Sequence, residues 1–195
     1  KSENTIDKIK DIIKYAIDNG HEIALHGKNH ASPLEQNNDE FIESIKESKE
    51  KIENEFNITI KGYRAPCFGI DDNIIEIIKD LGFKYDSSNL DFHLAKKSGR
   101  INLEDYKIEN LSVASKDGFY EFSLSRVKAY SGHLPVSGGG YIRLVPWFVM
   151  KYYLKKYINH ADSYVFYAHP FELKKGIVPA NKDLNWKEKL YLKVG

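Results

Sequence analysis

Gly20-His21-Glu22-Ile23-Ala24-Leu25-His26-Gly27-Lys28-Asn29-His30-Ala31-Ser32-Pro33 is the stretch on which the reading of the chain turns. Two imidazoles, His26 and His30, stand four residues apart directly after a short apolar run. On a helical turn that spacing puts both rings on one face, within reach of one cation. Neutral imidazole is the commonest protein ligand for zinc and suits its first-row neighbours as well. Spacing alone also fits two solvated histidines, so the weight falls on the residues C-terminal to them.

Working outward, residues 3–19 carry Ile6, Ile9, Ile12, Ile13, Ala16 and Ile17 as a helical stripe, and Gly20 supplies the stop. Residues 22–25 read as a short strand that delivers the histidines. After a polar loop, Phe41, Ile45, Lys49, Ile52 and Phe56 mark a second helix, with Asn38 or Asp39 as its cap. Residues 58–63 alternate like a strand and run into Arg64-Ala65-Pro66. Asp71 or Asp72 caps a third helix through Ile74, Ile75, Ile78 and Leu81, stopped by Gly82. Residues 83–85 form the next strand and lead into Asp86-Ser87-Ser88. Helix and strand thus alternate with short connections, the pattern of βαβ units and a parallel sheet. His26, His30, Arg64 and Asp86 each fall just past the end of an expected strand, the rim where a (β/α) barrel assembles its chemistry.

The middle of the chain is less regular. Residues 89–110 read as a mixed polar loop, and 111–114 and 119–124 as strands joined by Lys116-Asp117-Gly118. The run Ser137-Gly138-Gly139-Gly140-Tyr141 is either a tight turn or a place where backbone approaches a ligand closely. Residues 144–158 read as one helix with Pro146 in its first turn and a core stripe of Trp147, Met150, Leu154 and Tyr157. Residues 163–168 form the last strand, ended by His169-Pro170. His21 and His93 read as non-ligands. No repeat, linker or boundary divides the chain, so residues 1–195 read as a single domain.

Composition bounds the function. The 195 residues suffice for a substantial core. With 29 basic against 28 acidic residues, net charge creates no strong field toward nucleic acid or an anionic membrane. The single cysteine, Cys67, excludes an intrachain disulfide and leaves the compartment open, the cytoplasm being the default expectation. No apolar run approaches the ~20 residues that span a bilayer. The 13 Tyr and 10 Phe provide faces on which sugar rings can dock, besides ordinary packing.

Taken in order, His26-Gly-Lys-Asn-His30, Arg64-Ala-Pro66, Asp86-Ser-Ser88 and Tyr167-Ala-His169-Pro170 resemble the polysaccharide deacetylases of the NodB-homology type (carbohydrate esterase family four). The longer signatures Gly62-Tyr-Arg-Ala-Pro66, Ser137-Gly-Gly-Gly-Tyr-Ile-Arg143 and His169-Pro-Phe-Glu172 look most like deacetylases of surface-polysaccharide synthesis. The resemblance implies an α/β fold, a distorted (β/α) barrel, and hydrolysis of an N-acetyl group on an acetylated amino-sugar polysaccharide or its precursor. It implies a divalent metal, zinc first and cobalt or nickel next, held by His26 and His30. His169 corresponds to the acid that protonates the departing amine, a task suited to an imidazole. Asp86 is implied to support protonated His169, and Arg64 to orient the aspartate that acts as base. The N–H near Cys67 is a candidate oxyanion donor, and Tyr141 is expected on the substrate side.

The family's first motif, a strand ending in paired aspartates, should precede the helix at 3–19, and no segment of this sequence matches it. The expectation is a barrel lacking its first strand in this chain, N-terminally incomplete and poorly active as given. Two alternatives remain open: a deacetylase-fold amidase acting on a small non-sugar C–N bond, and a non-catalytic carbohydrate-binding relative. The oligomeric state is not legible.

Overall fold

The computed structural model describes residues 3–90, 98–129 and 132–169, with side chains from residue 9 onward. Contacts group the chain into two compact units, Lys1–Ile108 with Val113–Ser123, and Glu109–Ser112 with Leu124–Gly195.

In the first unit, helix α1 (Glu3–Asp18) ends before Gly20, whose φ of +78° is the left-handed stop. Helix α2 (Asn38–Phe56) is capped by Asn37, one residue before the expected Asn38. Asn37 has the extended backbone a cap needs, and its side chain accepts from Asp39 N–H at 2.9 Å. Helix α3 (Asp72–Asp80) is capped by Asp71, which accepts from Ile74 N–H at 2.8 Å. Lys49, inside the α2 stripe, donates to the Leu81 carbonyl at 2.8 Å and holds its ammonium 4.9 Å from the centre of the Phe83 ring. A cation therefore completes the C-terminal end of α3, where the helix dipole favours it.

The strands of this unit are β1 (Gly62–Tyr63), β2 (Tyr85–Asp86), β3 (Lys107–Ile108), β4 (Val113–Lys116) and β5 (Phe119–Phe122). Their spatial order is β1-β2-β5-β4-β3, with β1, β2 and β5 parallel and β5, β4 and β3 antiparallel. The sheet is mixed, and among the described residues it is open rather than closed into a barrel. The expected strand at 22–25 contracts to one parallel bridge between Leu25 and Tyr63. Leu25 N–H donates to the Gly62 carbonyl and Arg64 N–H to the Leu25 carbonyl, both at 2.9 Å. Asp86 lies within β2 instead of beyond its end. The β4–β5 turn places Asp117 and Gly118 at φ +51° and +77°, the pair of left-handed residues that a two-residue hairpin requires. Phe41 and Ile45 of α2, Ile74, Ile75 and Ile78 of α3, and Leu25, Ile60, Tyr63, Phe83 and Phe119 form the core. Each large apolar side chain among them contributes roughly 1.5–3 kcal/mol by burial.

The second unit contains β6 (Arg126–Ala129) and β7 (Gly132–Pro135), an antiparallel pair that the sequence pattern does not announce. The single helix expected at 144–158 is two, α4 (Gly139–Leu144) and α5 (Trp147–Ile158). Val145 sits at φ −83°, ψ 131° because the ring of Pro146 excludes helical backbone from the residue before it. Residues 163–168 keep only a parallel bridge between Gly138 and Tyr167. Val127, Val136, Met150 and Tyr157 form the core of this unit, with Tyr141 and Leu154 packed against it. Trp147, expected in that core, is the first residue of α5, ahead of the turns that hold Met150 and Tyr157, and is 60% exposed. His93, Pro170 and Glu172 lie outside the described residues. No described helix is long and apolar enough to cross a membrane.

Candidate functional site

Residues 26–30 form a bend, not the helical turn that the spacing suggests. Gly27 at φ +74° and His30 at φ +56° turn the chain back, and the two ring centroids end 5.1 Å apart at 77°. Gly27 is required twice over. Its φ is left-handed, and a Cβ there would stand 2.9 Å from Cγ of Pro66. His26 Nδ1 lies 2.8 Å from the Arg64 carbonyl oxygen. A carbonyl can only accept, so Nδ1 carries a proton, and in the neutral ring the lone pair is then on Nε2. Metal-ligating histidines have this arrangement, with one nitrogen donating to a carbonyl while the other faces the ion. Two such rings 5.1 Å apart suit a cation about 2.0–2.1 Å from each nitrogen. Among the described residues no third imidazole, thiolate or carboxylate joins them.

Arg64 follows β1, and its side chain donates from Nε to the Ser87 carbonyl at 2.8 Å and from Nη2 to Ser87 Oγ at 2.6 Å. Ser87 Oγ donates in turn to the Phe122 carbonyl at 2.8 Å. Beyond Pro66 the chain makes a tight turn with two consecutive left-handed residues, Cys67 at φ +57° and Phe68 at φ +55°. Non-glycine residues held there are strained, and such strain collects at functional sites. Phe68 and Gly69 N–H groups bond the Ala65 and Pro66 carbonyls at 3.1 Å, while the Cys67 N–H has no backbone acceptor among the described residues. The Cys67 thiol itself is exposed.

Asp86 is fully buried. Its two oxygens accept from Ser88 N–H and Ser88 Oγ–H, each at 2.7 Å, and Ser88 Oγ accepts from Ala65 N–H at 2.7 Å. A second carboxyl meets it. Glu121, also fully buried, takes Asn89 N–H at 3.0 Å and hydrogen-bonds the Asp86 carboxyl. Burial pushes both acids up, and Glu121 well above its ordinary range because the Asp86 charge adds to its desolvation. Of the two, Glu121 is pushed up further and is the one that favours keeping a proton. Hydrogen bonds therefore run from Glu121 through Asp86 and Ser88 to Ala65, the residue after the carbonyl that orients His26.

In the second unit, Tyr167 N–H donates to the Ser137 carbonyl at 2.8 Å, and the Tyr167 and His169 rings lie 6.4 Å apart. The glycine run receives backbone rather than ligand: a Cβ on Gly138 would sit 2.2 Å from the Tyr167 carbonyl oxygen. Two motifs separated in sequence, Ser137-Gly138 and Tyr167-Ala168-His169, are thereby joined. His169 is exposed, and Tyr141 packs on the core of this unit from α4.

Residues 2–85 match the family model described as polysaccharide deacetylase. Residues 94–193, just over half of the chain, match the model described as a domain of unknown function (DUF3473). The chain belongs to the DUF3473 family through its second part, while its first part is similar to the polysaccharide deacetylases. Among solved structures, a Mycobacterium smegmatis protein described as a polysaccharide deacetylase is similar at 25% identity and a TM-score of 0.46, over 62% of this chain and 37% of that one. Puue allantoinase is similar at 14% identity and a TM-score of 0.50, over 81% of this chain and 48% of the allantoinase. The second likeness concerns the fold alone. The chain thus spans less than half of either solved relative. No curated protein matches.

Within the first unit, Glu121 and the Ser88 hydroxyl are supports that the sequence motifs do not name. Glu121 has a signal: in Phe119-Tyr120-Glu121-Phe122 it alternates in step with buried Phe119, which puts an acid on the inward face of a strand. In the DUF3473 part, Gly138→Ala is expected to destabilise the protein by about 2–4 kcal/mol, since φ is +118° and the added carbon meets a carbonyl. Thermal unfolding of G138A against the parent measures it; an unchanged melting temperature contradicts the close approach.

Proposed function

We propose that this protein is a metal-dependent hydrolase that removes N-acetyl groups from an amino-sugar polysaccharide or its precursor. The observation that carries the reading is the His26 ring, which donates Nδ1–H to the Arg64 carbonyl at 2.8 Å and stands with its centroid 5.1 Å from that of the His30 ring. His26 and His30 would hold the divalent ion, zinc first and cobalt or nickel next. When bound, such an ion polarises an acyl carbonyl and lowers the pKa of bound water toward neutrality. A third ligand and a general base, the roles of the family's paired aspartates, are not assigned to any residue of this sequence.

The chain's own residues supply the rest. The Arg64 carbonyl fixes the tautomer and the plane of His26. The strained turn at Cys67 and Phe68 offers a backbone N–H for negative charge developing on the acyl oxygen, a contribution that costs no reorganisation during reaction. Arg64, held by Ser87, keeps its cationic plane on the same loop. In the second unit His169 is assigned the proton delivered to the departing amine, and Tyr141 contact with the sugar. Support of His169 by Asp86 is the element tested by Asp86→Asn and His169→Ala singly and together, where equal losses in all three variants indicate that the two act as a unit.

The deciding experiment measures acetate release by the intact protein from N-acetylglucosamine oligomers, with and without added zinc or cobalt. The expected result is metal-dependent release that falls by at least about a hundredfold in His169→Ala while metal stays bound. Hydrolysis of small cyclic amides with no acetate from any acetylated amino sugar overturns the substrate assignment. Metal-independent release overturns the mechanism.

A further inference from the structure

Between Glu121 and Asp162 the sequence contains no acidic residue and six Arg or Lys: Arg126, Lys128, Arg143, Lys151, Lys155 and Lys156. The near balance of charge over the whole chain conceals this segregation. Three of the six lie on α5, whose packed side is settled by Met150 and Tyr157 in the core of the second unit. The rest of the helix surface carries Trp147, Phe148 and Tyr152, exposed by 60%, 76% and 63%, with exposed Lys151 and Lys155 between them and exposed Ile158 at the far end. Soluble surfaces rarely gather large aromatics in this way without a partner.

We infer that this face of α5 seats the protein on an anionic lipid surface. Aromatic rings interleaved with lysines, and no carboxylate among them, match the water–lipid boundary. Tryptophan and tyrosine prefer headgroup depth, lysine stems lie along apolar surface while their ammonium groups reach outward, and clustered cations are drawn to anionic headgroups. A second copy of this chain is a poor occupant, because pairing the face with itself sets Lys151, Lys155 and Lys156 against one another. Residues 171–195 carry six Lys against three acids, so they too bear the same sign. An uncharged polysaccharide explains the aromatics but not the missing carboxylates. The inference goes beyond the proposed deacetylation and does not rest on it.

The test is co-sedimentation of the intact protein with phosphatidylcholine vesicles and with mixed phosphatidylcholine–phosphatidylglycerol vesicles. Binding to the mixed vesicles alone is expected, weakening as salt is raised. Lys151→Gln and Lys155→Gln are each expected to weaken binding roughly fivefold, and the double variant Trp147→Ser/Phe148→Ser at least about tenfold. The melting temperature should stay near that of the parent, since these side chains are exposed. In a Trp186→Phe background, Trp147 emission should shift to the blue on the mixed vesicles only. Equal binding by parent and variants overturns the inference, as does no binding by the parent. It is equally overturned by a vesicle-free dimer that the Trp147 variant dissociates, or by retention on an acidic polymer that survives loss of both aromatics.

Discussion

Alanine at His26 is expected to abolish stoichiometric metal binding, and alanine at His30 to do the same. The rings stand 5.1 Å apart at the bend of residues 26–30, and the tautomer of His26 is set by the Arg64 carbonyl. Neither ring is buried, so removing one leaves no core cavity and little reason for the fold to fail. The loss should exceed the roughly 10–100-fold that removal of an outer hydrogen-bonding partner costs a metal site. If the ion contributes several kcal/mol to the transition state, turnover should fall on the order of a thousandfold in both variants. Gly27→Ala separates position from chemistry. It keeps both imidazoles but forces the bend against Pro66, and should weaken metal binding without removing a ligand. Elemental analysis of the dialysed proteins reads all three. Full metal occupancy in both alanine variants would sink the assignment.

Glutamine at Glu121 should flatten the decline of stability as pH rises above the ordinary carboxyl range. Burial raises the proton affinity of the two fully buried carboxyls in the folded protein, whereas the unfolded chain releases its protons in the ordinary carboxyl range near pH ~4. The native state therefore binds more protons than the unfolded state, and stability declines as pH rises. The decline starts at the ordinary carboxyl range, at about 1.4 kcal/mol per pH unit for one retained proton, and stops once pH passes the raised value of the folded pair. A glutamine amide donates to Asp86 and accepts from Asn89 N–H with no proton to lose. Parent and E121Q should melt together in acid and diverge as pH increases, with the variant higher. Glu121→Leu leaves Asn89 N–H without its acceptor and Asp86 with only the two Ser88 donors, and should cost about 2–4 kcal/mol at every pH. Parallel melting profiles for parent and E121Q across the range would rule out the retained proton.

The same residues mark how far the sequence can be read. Caps and stops are local: Asp71 reaches Ile74 and Gly20 turns left-handed within a few residues, so helix ends are legible to within one or two positions, Asn37 standing in for Asn38. The Asp117-Gly118 turn is legible because its backbone demands particular residues. Strand extent is not, since a strand exists only where a neighbour supplies bonds. Leu25 pairs with Gly62 and Arg64, and residues 22–24 find no backbone partner among the described residues. Periodicity carries the helix at 144–158 straight through Pro146, although the proline's effect on Val145 is itself a local rule.

What the chain determined without its tertiary structure is the set of candidate actors, His26, His30, Arg64, Asp86 and His169, together with the βαβ rhythm of its first half and the resemblance that both announce. Side-chain type and short-range periodicity are properties of neighbours in sequence, and they survive in the string. What only the folded molecule decided is how those actors are held. The tautomer of His26 depends on a carbonyl 38 residues away, and the charge of Asp86 on an acid supplied by β5. Hydrogen bonds and desolvation act between groups that are close in space, and that closeness comes into being only when the strands align.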